Sequence, residues 1–164
     1  MNPKNSQQKI YKGLPTKYKY AIIVSKFNYH ITKKLLDGAK LCLINHHVPK
    51  KNWKIFFCPG AFEIPQVANM LAKENKWDAI VCLGAVIRGE TPHFEYISSE
   101  TARGIQIAAL LNSTPIVFGV LTTDDEKQAM ERAGGKHGNK GWDAVITAFE
   151  MAELFNKLKK KHSR

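Results

Sequence analysis

The sequence predicts a small doubly wound α/β domain, a parallel four-stranded sheet flanked by helices. Three observations predict it. Four short runs, 21–24, 55–58, 79–83 and 116–121, are apolar throughout instead of alternating with polar residues, as strands covered on both faces require. Helical patterns separate them, giving the order β-α-β-α-β-α-β-α-α. Right-handed crossovers then fold such a chain with helices on both faces of the sheet.

In chain order, Ala21-Ile22-Ile23-Val24 opens the sheet. Ile31, Leu35, Ala39, Cys42 and Leu43 then recur on one helical face, the stripe of a helix packed on a core. Ile55-Phe56-Phe57-Cys58 is the second strand and Ala79-Ile80-Val81-Cys82-Leu83 the third. Thr91-Pro92 reads as an N-cap with proline in the first helical position. The fourth strand covers 116–121, and Thr123 and Glu126 after it have capping-box spacing. Trp142, Val145, Ile146, Phe149 and Ala152 mark the apolar face of the last helix. The pair Ile10-Tyr11 is too short to define a strand by pattern.

At 164 residues and 44% hydrophobic, the chain reads as one domain, 1–164, with an extension over 1–17 and a basic tail over 159–164. It has no apolar run of membrane-spanning length and no charged-then-apolar leader, so cytoplasmic placement without a membrane partner is expected. Cys42, Cys58 and Cys82 are an odd set without a C-x-x-C pair, which predicts buried thiols rather than disulfides or a metal site. The formal charge of +11 suggests nucleic acid, but its distribution does not. Five lysines fall in 1–20, and four lysines and Arg164 in 156–164, with no acid in either stretch. The body, 21–155, carries 15 basic and 14 acidic side chains, so no basic groove and no specific nucleic-acid partner is expected.

Ligands bind open α/β sheets beyond the carboxyl ends of the strands, which picks out four loops, at 27–28, 59–65, 87–94 and 122–125, while a fifth stretch, 131–141, lies between the last two helices. Phe27 and Asn28 follow the first strand; Phe27 suits stacking on a flat heterocycle, or core packing. Pro59 to Pro65 follows the second, where Glu63 can accept hydrogen bonds from a polyol or answer a helix dipole. After the third, Gly89-Glu90-Thr91 at a helix start suits an anion or an ordinary cap, and His93 in the first turn suits proton transfer. Arg132, beyond the fourth strand, suits bidentate phosphate binding or a surface ion pair. Gly134 to Gly141 imitates a phosphate loop, but it follows a helix and has Gly141 after Lys140. His46-His47 lacks further ligands at metal spacing.

Together these stretches resemble the lumazine synthase family. The matching segments are S-K-F-N (25–28), P-G-A-F-E-I-P (59–65), G-A-V-I-R-G-E-T-P-H-F (84–94), F-G-V-L-T (118–122) and E-R-A-G-G-K-H-G-N-K-G (131–141), with the resemblance spanning residues 10–158. It implies a flavodoxin-like domain. It also implies condensation of 5-amino-6-(D-ribitylamino)uracil with 3,4-dihydroxy-2-butanone 4-phosphate, giving 6,7-dimethyl-8-ribityllumazine, phosphate and water, without metal or other cofactor. Residue by residue, Phe27 would stack on the pyrimidine, with Asn28 beside it. Gly60, Ala61, Phe62 and Glu63 would hold the ribityl chain, and Ala85, Val86 and Ile87 the heterocycle. Glu90 and Thr91 would seat phosphate, largely by backbone amides, while Phe118 covers the other ring face. The implied catalytic set is His93 as proton donor, Arg132 on the phosphate and Lys140 near the pyrimidine.

In the family, the Phe118–Arg132 group comes from a neighbouring subunit, and the counterpart of Ile10-Tyr11-Lys12-Gly13 is a strand on a neighbour's sheet. Pentamers, a 60-subunit icosahedral shell and a riboflavin synthase partner are further expectations. Ala61 stands where some members have serine, and Asp143 where glutamate is common; the second departure leaves a proton relay there in doubt. Two other classes remain beside the enzyme. A flavin-binding flavodoxin-like carrier would want a hydroxyl-rich loop where this chain has Ser25-Lys26-Phe27-Asn28. A non-catalytic shell protein would not need His93, Glu63 and Arg132 together.

Overall fold

A computed structural model describes residues 17–162. Its main sheet contains β1 (Tyr20–Ser25), β2 (Trp53–Cys58), β3 (Ala79–Ile87) and β4 (Ile116–Thr123), in spatial order β2-β1-β3-β4. Every pair is parallel, with Ile22 opposite both Ile55 and Val81, and Cys82 opposite Phe118. The helices are α1 (Tyr29–Asn45), α2 (Ile64–Lys73), α3 (His93–Leu111), α4 (Glu126–Arg132) and α5 (Lys140–His162). The expected parallel sheet and helix alternation are therefore present. Ile10-Tyr11-Lys12-Gly13 lies outside the described residues, and α5 continues into the basic stretch that begins at 159.

The unbroken apolar runs have a direct cause. Successive strand residues point to opposite faces, and both faces of the central strands β1 and β3 are buried, while the outer strands β2 and β4 leave Phe57 and Phe118 partly exposed. Tyr20, Ile22, Val24, Val81 and Leu83 pack beneath α1 and α5. Ala21, Ile23, Ile80 and Cys82 pack beneath α2 and α3. The stripe Ile31, Leu35, Ala39, Cys42 and Leu43 is wholly buried, and Phe149 of α5 meets Tyr20 edge-on at 5.1 Å. Burying a ring of that size contributes roughly 2–3 kcal/mol.

Two helix starts differ from expectation. The first hydrogen bond of α3 runs from Glu95 N–H to Pro92 O at 3.1 Å, so Pro92 is the cap and Thr91 lies one residue outside, without a side-chain cap bond. At α4, Thr123 is still strand, paired with Ile87. The capping role passes to Asp125, whose carboxylate accepts from Gln128 N–H at 2.7 Å.

The three cysteines are free and buried. Cys82 is pushed well above the ordinary thiol range by burial, and Cys58 up to about 11 by burial and then by the Glu63 carboxylate. His46 is also buried, its ring against Trp142 and Phe149 and its Nδ1 2.7 Å from Cys42 O. Among the described residues no helix is long and apolar enough to cross a membrane, and no three His, Cys, Asp or Glu side chains are grouped to hold a metal.

Candidate active site

The strand order reverses between β1 and β3, the place where an open α/β sheet leaves a crevice beyond its carboxyl ends. A cleft of about 480 Å³ lies there. Phe27 and Asn28 line it from beyond β1, Gly60, Ala61, Phe62 and Glu63 from beyond β2, and Ala85, Val86 and Ile87 from the end of β3. Asn28 holds the crevice at its base. It takes a left-handed conformation (φ 55°) at the start of α1, and its amide donates to Ala85 O at 3.0 Å. The Phe27 N–H donates to Pro59 O at 2.9 Å, and the residue is 71% exposed. That exposure removes the core alternative for Phe27 and presents an aromatic face to the cleft. Phe62 is half exposed in the same way.

Glu63 is the N-cap of α2 through its backbone, its carbonyl accepting from Val67 N–H at 3.3 Å, while its side chain makes no capping bond. Its carboxylate folds back over Gly60, where a Cβ would sit 2.9 Å from Oε2. A side chain at Gly60 would have to displace the carboxylate. The carboxylate lines the cleft and makes no bond to the helix end, which gives the opening one carboxylate among mainly apolar walls.

The β3–α3 loop closes the other end. Gly89, Thr91 and His93 line the cleft, joined by Phe94 and Ile97, which the sequence did not single out. Glu90 is exposed and does not line it. Among the described residues no acceptor pairs with the N–H groups of 89–91 or with those of His93 and Phe94. Free amides at a helix start form a seat for an anion. Arg88, also not singled out, donates Nε to Asp124 Oδ1 at 3.1 Å, pairs Nη1 with Glu95, and lies 4.2 Å over the Phe94 ring. Hydrogen bonding to Arg88 holds the Glu95 carboxyl below the usual carboxylate range.

The remaining predicted residues are elsewhere. Phe118, Arg132 and Lys140 line a second cleft of about 590 Å³ along the edge strand β4, lined also by α5 and by Gln106 of α3. The two linings share no residue. Phe118 is 44% exposed on β4, while Arg132 ends α4 and donates Nη1 to Gln128 O at 3.0 Å. No carboxylate pairs with Arg132 among the described residues. Lys140 is held by Asp143 at 2.8 Å. One chain therefore brings together the aromatic, carboxylate and amide features, and sets the Arg132 guanidinium apart.

The glycine-rich stretch is a packing device. Ala133–Gly135 and Gly138–Asn139 form a short antiparallel hairpin, with Gly134 at φ 115° and Gly138 at φ 75°. Its last residue, Asn139, is buried and starts α5. Its Oδ1 accepts from Gly141 N–H at 2.8 Å and Trp142 N–H at 3.2 Å, and its Nδ2 donates to Lys34 O in α1 at 2.8 Å. Bareness at Gly38 and Gly141 makes room for this approach.

A family model described as 6,7-dimethyl-8-ribityllumazine synthase matches residues 17–156.

Proposed function

The chain belongs to the 6,7-dimethyl-8-ribityllumazine synthase family, transferases of riboflavin biosynthesis, and from that premise we propose that it condenses 5-amino-6-(D-ribitylamino)uracil with 3,4-dihydroxy-2-butanone 4-phosphate. The observation that carries this is the first cleft: an exposed aromatic face, one carboxylate and unpaired amides around a single opening. Phe27 supports the pyrimidine, Glu63 accepts ribityl hydroxyls, and Ala85, Val86 and Ile87 bound the ring. The amides of the loop from Gly89 to His93 take the phosphate. The amine of one substrate attacks the ketone of the other, so the imine forms between substrates and no protein nucleophile is needed. Such catalysis draws mostly on proximity, with His93 moving protons as the imine forms and phosphate leaves. No metal or other cofactor enters this scheme.

One chain cannot finish the site, because Arg132 and Phe118 line the other cleft. A neighbouring copy supplies them: in a closed ring the second cleft of one subunit faces the first cleft of the next. Apolar side chains left exposed along α3, Ile107, Leu110 and Leu111, together with Met70 on α2, support such assembly. The family resemblance makes the ring a pentamer, and the uninterrupted Gly134 to Gly141 stretch, which resembles shell-forming members, favours sixty copies in a shell, in the cytoplasm, where a riboflavin synthase would be a partner. Mixing protein with both substrates should give lumazine absorbance and stoichiometric phosphate. Absence of both, with folded protein and authentic substrates, refutes the assignment. Yellow protein with a bound flavin and no condensation would instead support an electron carrier.

A further inference from the structure

We propose that Arg88 is a positioning residue: bridging Glu95 and Asp124 across the base of the loop 89–94, it fixes that loop so that Gly89, Thr91 and His93 face the first cleft. The proposal rests on the assignment of that cleft as the phosphate seat.

The contacts of Arg88 form a closure. Its N–H donates to Thr123 O at 2.9 Å, which ties the start of the loop to the end of β4. Its side chain returns to Glu95 in the first turn of α3, so residues 88–95 form a ring closed by one guanidinium. Asp124 anchors the same group from the β4–α4 connection, and the Phe94 face supports it from below. Each ion pair is solvent-exposed and separately contributes little to global stability. Their shared effect is local order. A Cβ placed on Gly89 would meet nothing within 4 Å, so packing at that position does not hold the loop. A planar fork holds both carboxylates in fixed directions while its face stacks on a ring, whereas an ammonium is a point charge on a flexible stem without that fixed geometry.

Arg88 also offsets two carboxylates beside an anion seat, so its removal could act through charge instead of position. The double variant separates these causes. Glu95→Gln added to Arg88→Ala removes a repulsive charge but does not restore the closure.

The experiment compares wild type with Arg88→Ala, Arg88→Lys and Arg88→Ala/Glu95→Gln. Amide hydrogen exchange of 88–95 is measured with and without inorganic phosphate, and kinetics are measured with each substrate varied. Exchange at 88 and 95, whose N–H groups bond Thr123 O and Pro92 O, should rise about tenfold in all three variants, with no change in thermal midpoint. Protection by inorganic phosphate should be lost. KM for the phosphorylated substrate should rise about tenfold or more, since small misplacements of binding groups are costly, while KM for the pyrimidine changes less than about twofold. Unchanged exchange overturns the proposal, as does faster exchange without loss of phosphate protection. Recovery of wild-type KM in the double variant also overturns it, in favour of charge. If wild type binds phosphate at the loop yet condenses nothing, the positioning role stands and the condensation assignment fails. If Arg88→Ala does not fold, Asp124→Asn and Glu95→Gln, each removing one anchor, decide by the same readouts.

Discussion

Asn139→Ala removes three hydrogen bonds where the hairpin, α1 and the start of α5 meet. Losing an N-cap costs about 0.5–2 kcal/mol. A buried amide left without an acceptor costs about 1–3 kcal/mol. The two overlap, and together they give a loss of about 2–4 kcal/mol, a large share of the roughly 5–15 kcal/mol that holds a domain folded. Gly38 supplies the internal control. A Cβ there would lie 2.1 Å from Asn139 Cγ, so Gly38→Ala alone should destabilise by about 1–3 kcal/mol through overpacking. With Asn139 already alanine, that obstruction is gone. Alanine at 38, inside α1, should then gain the ~0.5–1 kcal/mol by which it surpasses glycine in a helix. The double variant is thus expected to be more stable than Asn139→Ala, a reversal of sign and not mere non-additivity. Urea denaturation of all four proteins at one fixed concentration, so that assembly contributes equally, reads the cycle. Two additive losses would refute the close approach of Gly38 and Asn139.

Three further outcomes are expected. Arg132→Ala should weaken use of the phosphorylated substrate by roughly 1.5–3 kcal/mol and spare the pyrimidine; equal changes in both KM values would contradict its role. Phe27→Asp and Arg132→Ala co-expressed in equal amounts should recover about a quarter of wild-type activity, the share of ring interfaces that receive both intact residues. Verified mixed oligomers that stay inactive would place the two residues in separate sites. Stability should be level from neutral pH to about 8.5 and fall above it, because burial raises the thiols of Cys42, Cys58 and Cys82 in the folded state. The neutral thiol is favoured by folding below the unfolded value near 8.5, and for Cys58 that advantage disappears as pH rises through about 11. Thermal midpoints unchanged up to pH 10.5 would contradict this burial.

The sequence by itself determined the sheet, because a strand buried on both faces can have no polar alternation, and 21–24 and 79–83 have none. It also determined the helical faces, since Ile31 to Leu43 and Trp142 to Ala152 follow a period that is local to the chain. Motif order identified Phe27, Glu63 and His93, which the strand-end rule places together. Only the tertiary structure decided that Phe27 is exposed and that Arg132 lies in another cleft from His93. Local pattern records residue type, whereas exposure and separation depend on which strand neighbours which. The roles of Arg88 and Asn139 were illegible for the same reason. The acceptors of Arg88 include Asp124, 36 residues away, and Asn139 reaches Lys34 across 105. Contacts of that range leave no periodic trace in the chain, and arise when β3 lies beside β4 and α5 packs on α1.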